Sequence, residues 1–137
     1  MKIVSACLAG IKCRYDGTSK PCKKVIELVE QGKAIPVCPE QLGGLLTPRE
    51  PCEIRNNKII SKNGDDKTNE FQKGAEKALK IAKFFKCNEA ILKSKSPSCG
   101  CHKIYDGNFT GVLTKGDGIF TQLLKKNKIK VISEEEL

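Results

Sequence analysis

The chain has 137 residues, 39% hydrophobic and 30% charged, which fits one globular domain with a single core and excludes a disordered segment. A formal net charge of +9 comes from 25 Lys and Arg against 16 Asp and Glu, but the cations are spread along the chain, with no arginine-rich or aromatic-interleaved patch of a nucleic-acid surface. No window reaches the length of a membrane span, and the start MKIVSACLAG lacks the features of a signal peptide, so a cytoplasmic location is expected.

Taken in chain order, KIVSACL (Lys2 to Leu8) reads as a short apolar strand. A loop punctuated by Gly10, Gly17 and Pro21 follows. Residues 22–31 carry Val25, Ile26, Leu28 and Val29 at helical spacing, and Gly32 ends that helix. Ala34 to Val37 is the next strand, running into Cys38 and a Gly- and Pro-rich loop. EIRNNKIISKNG reads as a small hairpin turning at Asn56-Asn57. Thr68 to Lys86 is a helix with Thr68 as N-cap and a stripe of Phe71, Ala75, Ala78, Leu79 and Ala82. Glu89 to Lys93 is a third strand, and KIYDGNFTGVL reads as an extended pair around an Asp106-Gly107 turn. GDGIFTQLLKKNK is the last helix and IKVIS the last strand. Strands alternating with helices predict an α/β fold: a small parallel sheet with helices on both faces, a Rossmann-like three-layer arrangement, plus a short hairpin, all in one domain over 1–137.

Eight cysteines in a chain expected in a reducing compartment point to metal or redox chemistry before disulfides. The single histidine, His102, argues against an imidazole-rich zinc site, and it reads as a surface residue. Cys7 lies near the end of the first strand, Cys38 at the end of the second, and Cys99 just past the third, in SPSCG. In a parallel sheet these ends emerge at one edge, where ligands bind in such folds. Thiolates almost without histidine suit a soft centre, an iron–sulfur cluster or zinc. A cluster held by three cysteines leaves one iron open to a substrate atom. A cysteine near a strand end is often packing only, and Cys22 and Cys87, at helix ends, are read that way. Cys13, Cys52 and Cys101 stay open, with Cys13 able to approach the same edge.

The motifs SACLAG, CRYDG, CPEQLGGLLTPR, SPSCG and IYDGNFTGV, in this order over nearly the whole chain, resemble the thiouracil desulfidase family. The resemblance implies a [4Fe-4S] cluster held by Cys7, Cys38 and Cys99 with its fourth iron open. It further implies non-redox removal of sulfur from a thiolated pyrimidine such as 4-thiouracil, releasing the oxo base and sulfide. A water attacking the thiocarbonyl carbon needs a base, and Glu40, two residues after Cys38, is the candidate. The resemblance favours Ser96 as the residue that orients this water, with Ser98 the second choice; Ser98 and Arg14 are also candidates to hold substrate. Arg14, Asp16 and Arg49 either hold substrate or pin loops by ion pairs. Tyr15 either stacks on a base or packs its loop. The expected partner is a small thiolated base, with thiolated tRNA as a second possibility and no membrane. The rival readings are a zinc- or cluster-carrying RNA-binding module and a thiol redox protein using Cys99 with Cys101 or Cys7 with Cys13.

Overall fold

The computed structural model describes residues 1–137. In chain order its elements are β1 (Lys2–Ser5), α1 (Lys23–Glu30), β2 (Ala34–Val37), α2 (Pro39–Leu42), β3 (Cys52–Arg55), β4 (Lys58–Ser61), α3 (Thr68–Phe84), β5 (Glu89–Leu92), β6 (Lys103–Tyr105), β7 (Leu113–Lys115), α4 (Ile119–Lys126) and β8 (Lys130–Ser133). One-turn 3-10 helices lie at Ala6–Ala9 and Glu134–Glu136. No helix is long and apolar enough to cross a membrane.

The central sheet has the order β2-β1-β5-β8, and every neighbouring pair is parallel. Strand alternation sends its residues to two cores. Ile3, Ala90, Leu92 and Val131 pack with Ala75, Ala78 and Ala82 of α3 and Phe120 and Leu124 of α4. Val4 and Ile91 face the other way and pack with Val25 of α1. Helices therefore cover both faces, as the strand–helix alternation predicts.

Two antiparallel hairpins stand apart from the sheet. The β3–β4 hairpin turns at Asn56 and Asn57, whose φ values of 50° and 62° match the mirror-image turn that such hairpins favour. The β6–β7 pair departs from the sequence reading. Tyr105 pairs with Leu113, so residues 106–112 form a longer loop and not a two-residue turn at Asp106-Gly107. Glu53 holds that loop, accepting from the amides of Gly107 (3.0 Å) and Phe109 (3.2 Å).

Other boundaries also move. The first strand stops at Ser5, and the chain then coils, with the Ile11 amide bonded to the Ala6 carbonyl at 3.1 Å. Cys7 thus sits on a turn beyond the strand. Thr68 is not the N-cap of α3; its hydroxyl accepts from the Ile59 amide (2.9 Å), while Asp66 accepts from the Thr68 amide (2.9 Å). The hydroxyl serves the hairpin because its own helix end is already served by Asp66.

The short helix α2 was absent from the sequence reading, and two glycines explain its position. A Cβ on Gly74 of α3 would lie 1.8 Å from the Pro39 carbonyl oxygen, and one on Gly43 would lie 2.0 Å from that of Glu70. The backbones of α2 and α3 touch where no side chain intervenes, which fixes where residue 40 stands. Replacing Gly74 by Ala is expected to force the helices apart and to cost about 1–3 kcal/mol, the usual range for overpacking. Denaturant unfolding checks this, and an unchanged midpoint would contradict the close approach.

Candidate metal centre

Cys7 on the turn after β1, Cys38 directly after β2, and Cys99 in the turn after β5 all line one cavity of about 590 Å³ at the carboxyl edge of the sheet. Parallel pairing produces this convergence, as the sequence predicts. Two more thiols share the cavity wall, Cys13 and Cys52. Cys7, Cys13 and Cys99 are buried, while Cys38 and Cys52 are half-buried.

The turn carrying Cys99 is built around Ser96. Its hydroxyl oxygen accepts from the amides of Ser98 (3.1 Å) and Cys99 (3.0 Å). The first residues of α4 close the turn from behind. The Ile119 and Phe120 amides donate to the carbonyls of Pro97 and Ser98, and the Thr121 hydroxyl donates to the Cys99 carbonyl at 2.9 Å. Gly118 makes this possible, since a Cβ there would lie 2.4 Å from the Ser98 carbonyl oxygen. Ser5 supports the same turn. Its hydroxyl accepts from the Lys93 amide at 2.9 Å, and Ser5 lines the cavity with Cys99. Sequence reasoning passed over Ser5, because a serine ending a strand carries no motif.

Cys13, Cys38, Cys52 and Cys99 resist ionisation. Burial, opposed by the Ser5 hydroxyl, pushes the Cys99 thiol well above the ordinary thiol range. Hydrogen bonding with Cys13 and then burial do the same to Cys38. For Cys13 the bond with Cys38 favours the thiolate, but the bond with Cys7 and desolvation outweigh it and raise the thiol to about 11. Burial, and then the charge of Glu40, raises Cys52 to about 11. Metal must therefore displace protons to bind here, so affinity rises with pH.

Glu40 is held at both oxygens. Arg49 Nε donates to Oε1 at 3.0 Å, and the Ser98 hydroxyl donates to Oε2 at 3.1 Å. The two charged side chains are only 9% and 16% exposed, so this ion pair is largely withdrawn from solvent. The same guanidinium donates through Nη2 to the Cys13 carbonyl (2.9 Å) and through Nη1 to Leu46 O (3.2 Å) and Thr47 Oγ1 (2.9 Å). Arg49 thus pins loops together through an ion pair. Each carboxylate oxygen keeps a lone pair for a proton in the cavity.

The remaining sequence-derived candidates divide. Ser96, Arg14 and Tyr15 line the cavity; Ser98 does not, and its hydroxyl faces Glu40. Arg14 bonds the Thr18 hydroxyl at 3.1 Å, lies 3.8 Å from Asp16 and stacks over Tyr15 at 5.6 Å. Cys87 is buried in the core beneath α3, and Cys22 packs against the core beside α1, each by its helix end as expected. Cys101 is buried in the core and turned from the cavity, its Sγ 3.8 Å from the Val131 carbonyl. With His102 and Asp117 it forms a cluster whose ligand atoms lie within 4.8 Å of one another. His102 itself is exposed, as the sequence reading expects. The Lys125 ammonium lies 3.0 Å from Asp117 and already supplies a cation there.

The donor set facing the cavity fits an iron–sulfur cluster. It consists of thiols, with no imidazole on the wall. Lys20, Lys62, Lys93 and Lys95 line the same cavity with Arg14 and Arg49, against only Glu40 and Glu53. Such a surplus of cations balances the negative charge that bound thiolates bring.

The family model for 2-thiouracil desulfurase matches residues 3–136, and the chain belongs to that family. It is 44% identical to the uncharacterized protein YbbK of Bacillus subtilis (strain 168) over 147 residues, covering 100% of this chain and 97% of that protein. The fold also matches the solved structure of TudS, a [4Fe-4S]-dependent thiouracil desulfidase. That match has a TM-score of 0.94 at 44% identity and covers 98% of this chain and 91% of the other.

Two outcomes follow from this geometry. Arg49→Met is expected to lower stability by about 3 kcal/mol by stranding Glu40, whereas Arg49→Lys keeps the charge but loses the fork that reaches three loops. Chemical denaturation of both variants checks this, and two near-neutral substitutions would contradict the clamp. In the metal-free protein, iodoacetamide labelling of Cys13 and Cys52 should be slow at about pH 8 and rise toward about pH 11, because only thiolate reacts and both thiols titrate late. Peptide mapping reads this directly, and labelling complete by about pH 9 would overturn it.

Proposed function

We propose that this protein removes sulfur from a thiolated pyrimidine base of the 4-thiouracil type, without redox change, giving the oxo base and sulfide. Cys7, Cys38 and Cys99 would hold the [4Fe-4S] cluster. The observation that carries this reading is the meeting of three strand-end cysteines with Glu40 on the wall of one cation-lined cavity. Membership of the 2-thiouracil desulfurase family and the likeness to TudS support it.

When bound, the cluster supplies Lewis-acid polarisation of the C=S bond. The chain's own residues then handle water and protons. Glu40 takes a proton from the water that adds to the thiocarbonyl carbon. Arg49 and Ser98 hold the carboxylate in place, so Ser98 is a positioning residue in this reading. Ser96 accepts two amide protons, which leaves its own hydroxyl proton free to orient that water. The carbon gains the water oxygen and loses sulfur. Sulfide leaves as hydrosulfide, and the proton held by Glu40 returns to solvent. Arg14 and Tyr15 line the cavity and would contact the base. The lysines beside them favour an anionic product and an anionic substrate alike. Thiolated tRNA is the larger substrate class that such a charge would attract.

Anaerobic reconstitution with iron and sulfide is expected to load about four irons per chain, as a cubane requires. Loss of the thione absorbance of 4-thiouracil then reports turnover. Cys7→Ala, Cys38→Ala and Cys99→Ala should fail to hold the cluster. Glu40→Gln should keep it, with turnover reduced by about 10²–10⁴, the range for losing a general base. A loaded wild type that ignores the free base but converts thiolated tRNA would move the substrate assignment. Turnover by iron-free protein would overturn the reading.

A further inference from the structure

A second group of metal-ligating side chains lies away from the cavity, at Cys101, His102 and Asp117. One ligand atom from each falls within 4.8 Å of the others. Two backbone segments are zipped together to bring them there. The Gly118 amide donates to Gly100 O (2.8 Å), the Gly116 amide to His102 O (3.0 Å), and the His102 amide to Asp117 Oδ1 (2.8 Å). Held on both its amide and its carbonyl, His102 keeps a φ of 71°, in the left-handed region. Cys101 is 7% exposed, and its Sγ lies 3.8 Å from the Val131 carbonyl. A thiol donates weakly to such an oxygen, and the contact leaves the sulfur lone pairs uncommitted. His102 is exposed and Asp117 half-buried, so the group opens to solvent on one side. Packing accounts for a buried cysteine, not for an imidazole nitrogen and a carboxylate gathered within reach of its sulfur.

We propose that Cys101, His102 and Asp117 form a second, mononuclear site for a thiophilic divalent cation of the zinc class, separate from the cavity thiols. Thiolate sulfur, imidazole nitrogen and carboxylate oxygen are each ordinary zinc ligands, and three of them leave a fourth position for water. One thiolate and one carboxylate balance the charge of the dication. The Cys101 thiol gives its proton to solvent as the metal binds, and no electron moves. Lys125 is the resident competitor. Its ammonium lies 3.0 Å from Asp117 Oδ2, on a side chain 38% exposed that is free to swing into solvent. Metal and ammonium therefore contend for one carboxylate. A metal here also bears on the neighbouring site. Cys101 follows Cys99 by two residues, and Asp117 precedes Gly118, which packs directly on the Ser98 carbonyl. The metal would clip the turn that carries Cys99 to the start of α4.

The test is zinc binding by protein reconstituted anaerobically with iron and sulfide, so that the cavity thiols are occupied. Iron and zinc are counted separately by elemental analysis after equilibrium dialysis against zinc ions, and the zinc shell is read by X-ray absorption. The wild type is expected to bind about one zinc per chain, with one sulfur at about 2.3 Å and nitrogen or oxygen at about 2.0–2.2 Å. Loss of an outer-shell partner already weakens metal affinity by about 10–100-fold, so Cys101→Ser and His102→Ala, which remove ligands, should weaken it by more than about 100-fold. Lys125→Met should tighten it by about 2–5-fold, the worth of one exposed ion pair. A shell of three or four sulfurs, or zinc held equally by Cys101→Ser and His102→Ala, puts the metal on the cavity thiols and overturns the proposal. A wild type that takes up no zinc overturns it too. The one-sulfur shell is diagnostic whether or not iron loads, and His102→Ala, at an exposed position, decides the matter if the Cys101 variant does not fold. Failure to load iron bears on the desulfidase reading alone.

Discussion

Parallel pairing of β1 with both β2 and β5 is the constraint on which the candidate site depends. Ser5 pairs with Val37, and Val4 with Ile91, so three strands end at nearly one level. Each chain then turns away from the sheet, and each turn begins with or soon reaches a cysteine. Antiparallel pairing of any one strand would send its cysteine to the opposite edge. The turns differ in kind: a 3-10 coil for Cys7, the start of α2 for Cys38, and a serine-organised turn for Cys99. What they share is the edge, and the sheet sets that.

The edge is costly to leave empty of metal. Sulfhydryls in contact satisfy one another only weakly; burial holds Cys99 protonated, and hydrogen bonding with Cys13 and then burial do the same to Cys38. The surrounding lysines then face thiols without negative charge. Binding metal releases the thiol protons and brings anionic sulfur opposite those cations, so folding, proton release and metal uptake are linked. Arg49 contributes a fixed charge to the same balance and keeps Glu40 at the wall.

Much of this was legible in the sequence. Strand–helix alternation carries the parallel sheet and its two covered faces, and the strand-end positions of Cys7, Cys38 and Cys99 carry the edge. The rest depends on tertiary contact. Nothing local places Cys13, which sits in an irregular loop, beside Cys38; the Arg49 bond across the cavity does so. The helix α2 is too short for periodicity to reveal, and only the facing of Gly43 and Gly74 explains it. Ser96 and Ser98 look alike in SPSCG, yet one organises the turn while the other meets Glu40, because successive positions in a tight turn point in different directions. Thr68 reads as a cap by type, but Asp66 has taken that work. The second hairpin misleads because Asp106-Gly107 is a strong local turn signal that Glu53, on another hairpin, recruits into a longer loop.

The same geometry weighs against a thiol redox enzyme. Cys99 and Cys101 are two residues apart, but Cys101 turns into the core toward Val131 and does not reach the cavity wall. Cys7 and Cys13 do share the cavity wall, as a dithiol would need. A redox dithiol, however, works through a thiolate made available by a lowered pKa. Cys13 is raised to about 11, and the neighbours Cys38 and Cys99 are raised further. Nearby cations are present but do not reverse this, since Arg49 spends its hydrogen bonds on Glu40 and on backbone carbonyls. Thiols that are close, buried and reluctant to ionise are poor nucleophiles toward disulfides. They become thiolates when a metal takes the place of their protons, which is the chemistry this edge of the sheet is built to support.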